Sequence, residues 1–162
     1  MIPRIERLPE MKLVGHFVKM SLANDRTFEL WSTFMPKRKL IAHVLGANLY
    51  SLQIYSELPD MKNFSPDMVF EKWAAVEVNV FVDYKENFKN LVLEGGLYAV
   101  FVHKGRPSDF QRTLKAIHYD WLPSSGYELD NRPHFEILGD KYKNDHPDSE
   151  EEVWVPIKRI PA

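Results

Sequence analysis

The sequence predicts an α+β fold made of two strand–helix–strand–strand units, and three observations carry that reading. The chain passes twice from a run rich in β-branched and aromatic residues into a stretch of helical spacing and back again. The two passes echo one another: Leu13-Val14-Gly15-His16-Phe17-Val18 aligns with Leu97-Tyr98-Ala99-Val100-Phe101-Val102 at a shift of 84, and Leu52-Gln53-Ile54 with Phe135-Glu136-Ile137 at a shift of 83. Each helical stretch also stops at a proline, in Phe34-Met35-Pro36 and in Trp121-Leu122-Pro123. One domain, 1–162, with halves of about 1–83 and 95–160, is therefore expected. Pseudo-twofold symmetry, antiparallel sheets, helices packed on one side and a groove between the halves follow from that repeat.

Leu13 to Val18 reads as the first strand. Asn24 or Asp25 is placed to cap a helix in which Phe28, Trp31 and Met35 share a face. Pro36 ends or kinks it, and Lys37 to Leu45 reads as a second helical piece. Tyr50 to Tyr55 is a strand, the proline-bearing stretch from Glu57 to Asp67 a loop, and Trp73 to Val82 a strand with alternating valines. Gly95-Gly96 supplies a turn, Leu97 to His103 a strand, and Ser108 with Gln111 a capping box. Phe110, Leu114, Ile117 and Trp121 share the following helix face. Pro133 to Leu138 and Val153 to Ile157 close the fold as strands, with Pro156 expected at an edge or a strand end.

Composition removes several function classes. Hydrophobic residues are 44% and charged residues 27%, and no apolar run approaches a bilayer span. The N-terminus lacks a secretory signal and there are no cysteines, so a cytoplasmic location is expected, with no disulfide, iron–sulfur cluster or thiol nucleophile. Net charge is −2 and the one basic run, Lys37-Arg38-Lys39, reads as a solvated helix surface, which speaks against direct contact with nucleic acid. The six histidines show no metal-ligand spacing, Gly95-Gly96 is not a phosphate loop, and Ser124-Ser125-Gly126 follows a helix, unlike a nucleophile elbow. No metal and no cofactor is expected.

Glu136 is the residue on which function turns. Alternation puts Phe135 and Ile137 on one strand face and His134, Glu136 and Leu138 on the other. By pattern alone that second face meets solvent. If it lines the groove instead, a carboxylate among aromatic rings attracts an organic cation, or, once desolvated, acts as a general acid or base.

Three motifs bear on the choice. Tyr98-Ala99-Val100-Phe101-Val102-His103-Lys104-Gly105, Trp121-Leu122-Pro123-Ser124-Ser125-Gly126-Tyr127 and Arg132-Pro133-His134-Phe135-Glu136 resemble the GyrI-like small-molecule-binding domain, the effector-binding domain of AraC-type and MerR-type multidrug-responsive regulators. The first half matches more loosely, through its strand and helix pattern and Trp73-Ala74-Ala75-Val76-Glu77-Val78. The resemblance implies the duplicated fold and a ligand groove between the halves, with Glu136 at its centre. It also implies aromatic residues that stack on flat, often cationic lipophilic compounds; by position these are Tyr98, Trp121, Tyr127, Trp31 and Tyr55. Gln53, the counterpart of Glu136 under the repeat, is neutral. Leu138 stands where the family often has an aromatic residue. Regulators of this kind carry a helix-turn-helix domain of at least about 50 residues ahead of the ligand domain. Here the resemblance starts within the first few residues, so a stand-alone form is expected.

The function implied is binding of a hydrophobic, often cationic, small molecule by a sensor or sequestering module, with a protein partner left open. Some stand-alone relatives are hydrolases that open strained cyclopropane rings in natural products; in that alternative Glu136 handles the water and Tyr98 polarises the leaving group. A protein–protein module of the gyrase-inhibitor type is the third reading. Enzyme or binder is a question the sequence leaves open.

Overall fold

The computed structural model describes all 162 residues. Its strands are β1 (Arg4–Leu8), β2 (Met11–Met20), β3 (Leu49–Ile54), β4 (Phe70–Val78), β5 (Lys89–Leu93), β6 (Gly96–Lys104), β7 (Tyr127–Leu129), β8 (His134–Leu138) and β9 (Glu150–Arg159). Helix α1 (Thr27–Lys37) follows β2, and α2 (Phe110–Lys115) follows β6 and runs on as a π-helical turn, Ala116–Trp121. The fold is α+β with one large antiparallel sheet in the order β1-β6-β9-β8-β3-β4-β2-β5, β7 pairing beside β8 on β9. No helix is long and apolar enough to cross a membrane.

Strand order dictates the shape. β1 and β2 are joined by only Pro9 and Glu10, yet β1 lies at one end of the order and β2 next to the other. A sheet can satisfy that connection only by curling until its ends approach. Its concave face then encloses a core drawn from both ends and the middle, including Leu13, Leu52, Trp73, Tyr98, Phe135 and Trp154. The edge strands pair with segments distant in the chain: β1 with β6 and β5 with β2. Gly15 of β2 crosses so close to the Ala74 carbonyl of β4 that no side chain fits there. Gly95-Gly96 forms no hairpin turn, because β5 and β6 are not partners; Gly96 has φ of 148°, and a Cβ on it would stand 2.6 Å from the Arg132 guanidinium.

Both helices lie on the convex face. Leu30 and Phe34 of α1 pack on Val14, Ala74 and Val76, and Ile117 packs on Ala99, Phe101 and Val153. Burying Leu30 and Phe34 contributes about 1.5–3 kcal/mol each, which an eleven-residue helix needs to persist. Between the helices run β3 and β8, paired antiparallel at the centre of the sheet, and their convex face is the floor of a groove.

Several local expectations change. Asp25 Oδ1 accepts the Thr27 amide at 2.9 Å at the start of α1, and Pro36 is tolerated inside its last turn. The second helical piece shrinks to one 3₁₀ turn, Arg38–Leu40. The valine-rich strand stops at Val78, which pairs with Lys12 of β2 and bridges to Val44; beyond it Val80 and Val82 are exposed. The helix after β6 is led by Asp109, whose carboxylate accepts the Arg106 amide at 3.1 Å, and not by a box of Ser108 and Gln111. Pro156 is interior, between β6 and the gap separating β8 from β7, where its missing N–H goes unneeded.

Candidate functional site

Register assembles the groove floor row by row, because directly opposed residues share a sheet face. One row runs Val153, Glu136, Ser51, Ala74 and His16 across β9, β8, β3, β4 and β2. The next runs His134, Gln53, Lys72 and Val18. Tyr55 and Phe70 follow, with ring centroids 5.3 Å apart, and Phe64 packs against both. Glu151 of β9, opposite His103 of β6, sits diagonally from Glu136 on the same face. The floor therefore grades from acidic through mixed polar to aromatic.

Glu136 is buried, and one of its oxygens does most of the bonding. Gln53 Nε2 donates to Oε1 at 3.1 Å, and Lys72 Nζ lies 3.8 Å from the same atom. Burial pushes the Glu136 carboxyl above the usual range, against the pull of Lys72, Gln53 and His103. Glu151 is raised to about 7, first by burial and then by the charge of Glu136, with Lys72 opposing. Two carboxyls thus share one ammonium. Full ionisation leaves one negative charge more than the ammonium balances, which either a proton or a bound cation can offset.

His134 and His118 are uncharged at neutral pH. Burial lowers His134 to about 3, helped by His118 and Arg132, and lowers His118 to about 4. His134 also meets the Tyr55 ring edge-on at 5.3 Å. Burial and the charge of Glu136 hold the Tyr55 phenol protonated far beyond neutral pH.

A strap closes the aromatic end. The chain between β3 and β4 carries Phe64 and reaches across to the π turn, where the Tyr119 hydroxyl donates to the Lys62 carbonyl at 2.7 Å and Lys62 Nζ lies 5.4 Å over the Tyr119 ring. Two depressions of the surface do not reach Glu136. One, of about 320 Å³, is at the loop end of the β8–β9 hairpin, where Glu151 lines it beside Asn48 and Lys141; the other, of about 390 Å³, lies beside Arg7 and Arg132. Glu136 itself is buried.

Residues 1–158 match the family model described as GyrI-like small molecule binding domain. The chain belongs to the GyrI-like family. Among solved structures, it is similar to SAV2435 bound to tetraphenylphosphonium at 21% identity and a TM-score of 0.68, covering 98% of this chain and 94% of that one. It is similar to the C-terminal domain of EcmrR at 16% identity and 0.66, covering 99% and 100%. A hydrolase from Listeria innocua is similar at 15% identity and 0.60, covering 97% and 92%. At such identities these neighbours bear on the fold alone. No curated protein sequence matches the chain.

In this GyrI-like domain the residues nominated from sequence fall into four places. Glu136 and Tyr55 come together on the floor, close enough for the charge of one to act on the other. Trp31 stands on α1, half-buried and edge-on to Phe34 at 5.9 Å. Trp121 and Tyr127 stack on each other at 6.2 Å, and Trp121 leans on Phe101 of β6, which β9 separates from β8. Tyr98 is displaced outright: it points into the concave core, fully buried, and its hydroxyl donates to the Pro133 carbonyl at 2.9 Å. Burial raises its phenol to about 12, so it remains a donor. Together with Arg132, whose guanidinium donates to the Leu97 and Ile157 carbonyls and to Asp130, it anchors the start of β8.

Lys72, His118 and Glu151 were not among the nominated residues. Lys72 was legible: it keeps the same alternation as Ala74, Val76 and Val78, a charge in phase with a buried face. Glu151 was hidden within an acidic run that reads as solvated. His118 follows Ile117 directly, and only the π turn brings both inward.

Proposed function

We propose that the chain is a small-molecule-binding protein whose groove takes lipophilic organic cations, with Glu136 as the counter-charge and Tyr55, Phe64 and Phe70 as the apolar contact. The observation that carries this reading is the buried Glu136–Lys72 pair with the half-buried Glu151 beside it, a group that lacks one positive charge when fully ionised. A bulky cation with delocalised charge loses little hydration on entering such a site, and it meets both a carboxylate and aromatic faces. The tetraphenylphosphonium bound to SAV2435 is a compound of that kind. Because Glu136 is buried, a ligand reaches it only if the protein opens, and the strap held to Tyr119 is the element we assign to that opening. Trp31, Trp121 and Tyr127 remain candidate contacts on the walls, and sensing or sequestration is the role such binding serves.

Titrating tetraphenylphosphonium against tryptophan fluorescence tests the reading. Saturable quenching that Glu136→Gln weakens by about tenfold or more supports it; equal affinity in the variant removes Glu136 from the site.

The alternative is hydrolysis of a strained cyclopropane in the same groove, and the carboxyls favour it: burial raises Glu136 above the usual range, which makes it a stronger base, and Glu151, raised to about 7, exchanges a proton near neutral pH. Glu136 then accepts the proton of the attacking water. Any assistance from a tyrosine falls to Tyr55 on the groove floor, since Tyr98 lies on the opposite face. Product exceeding one equivalent per protein, and its loss in Glu136→Gln, is the required result.

A further inference from the structure

Two buried histidines stand beside the acidic group with no work assigned to them. His118 comes from the π turn after α2, and His134 from β8, two residues before Glu136 on the same face. They are 3% and 6% exposed. Neither His118 ring nitrogen has a partner in the protein, nor does Nε2 of His134. The rings are close enough for charge on one to oppose charge on the other. Three unpartnered imidazole nitrogens from separate elements, gathered in one place, are unusual, because buried polar atoms are almost always hydrogen-bonded.

We propose that His118 and His134 form a neutral polar subsite of the groove, which receives a hydroxyl group carried by the lipophilic cation that Glu136 holds. The inference rests on the cation-binding reading and narrows its ligand class. A neutral imidazole offers one donor and one acceptor, so the two rings together complement a group that both donates and accepts. A hydroxyl does so; a bare hydrocarbon leaves the nitrogens unpaired. Remaining neutral, the rings add no positive charge against the cation. Two residues along a strand span roughly 6–7 Å, comparable to the reach from the phosphorus of an aryl phosphonium to an oxygen in the para position of one ring. The π turn has its structural consequence here. By turning His118 inward beside Ile117, it supplies a polar group where an ordinary α-helical turn would send that side chain away.

The experiment compares tetraphenylphosphonium with (4-hydroxyphenyl)triphenylphosphonium, which differ by one hydroxyl, on wild type, His118→Phe and His134→Phe, with thermal melts confirming that each variant folds. Wild type is expected to bind the hydroxylated cation about five- to tenfold more tightly. Either variant should erase that preference; in His118→Phe, whose residue lies off the strand rows of the floor, tetraphenylphosphonium affinity should stay within about threefold. Spectra of ¹⁵N-labelled histidine give a readout independent of the variants: ring-nitrogen shifts should respond to the hydroxylated cation more than to the parent. Equal affinities in wild type, or a preference that survives both substitutions, overturn the subsite and leave cation binding standing. Failure of both phosphoniums to bind overturns cation binding and the subsite together.

Discussion

Lys72 Nζ lies 3.8 Å from Oε1 of Glu136, and each side chain is only 11% exposed. A buried pair of this kind gains little net stability, because desolvating both charges offsets most of their attraction. Its importance for binding is competitive. An organic cation seeking Glu136 finds an ammonium already there.

Lys72→Met is therefore expected to tighten tetraphenylphosphonium binding by about tenfold at pH 8, the opposite of Glu136→Gln, through loss of about 1.4 kcal/mol of competing attraction. The same variant leaves two carboxyls without their ammonium. Its melting temperature should fall at pH 8 and recover toward pH 6, where both carboxyls hold protons more readily. Fluorescence titration and thermal melts at the two pH values check both outcomes; weaker binding in Lys72→Met would show the ammonium to be a ligand contact instead.

Glu151, raised to about 7, predicts how binding follows pH. Protonated, it contributes no negative charge; ionised, it adds one. Affinity for a permanent cation should rise as pH goes from about 6 to 8, and Glu151→Gln should flatten the rise. Stability of the unliganded protein moves the other way. A carboxyl whose folded pKa is raised keeps its proton in the fold, so its contribution is lost as pH rises from the ordinary carboxylate range to about 7 and is gone above that. His118 and His134, lowered by burial, act in the opposite sense until their unfolded imidazoles are neutral, about one unit above 6.5, so the Glu151 share is read as the difference between wild type and Glu151→Gln. Calorimetry in buffers of different ionisation enthalpy would detect the proton released on binding.

The strap sets the rate of access. Tyr119→Phe removes the hydroxyl donated to the Lys62 carbonyl and keeps the ring. With about 1 kcal/mol less to hold the strap, the association rate of tetraphenylphosphonium should rise about fivefold in stopped-flow fluorescence. An unchanged rate would mean that the ligand enters by another route.

Arg132 tests the anchoring of β8. Its guanidinium satisfies the Leu97 and Ile157 carbonyls, pairs with Asp130 and lies 4.6 Å over the Tyr98 ring. Arg132→Met should cost about 2–4 kcal/mol, since it leaves those carbonyls and a carboxylate unpaired. For a domain of this size the melting temperature then falls by about 5–15 °C.

The fold class and the family were legible because they rest on long periodic segments and on three motifs in order. Tyr98 shows the limit of such reading. Alternation within β6 says that Tyr98 and Ala99 face opposite ways, but which of them shares a face with Glu136 depends on pairing through β9, a relation between distant segments. Lys72 was accessible to a reading that asked which residues keep phase with the buried valines. β1 and β5 could not be assigned locally: each is five residues long, and each finds its partner in a distant segment of the chain. The π turn leaves no pattern in the residues around His118.

That crosswise pairing of β1 and β5 has a mechanical consequence. Tension applied at Met1 is not borne first by the half to which the N-terminus belongs. It falls on the five residue pairs that clamp β1 to β6, and through β6 on β9, the neighbour of the strand that carries Glu136. A chain severed between β4 and β5 would meet the same arrangement as a problem of assembly. Each fragment would carry a strand that belongs to the other, and the fold would return only when the two traded them.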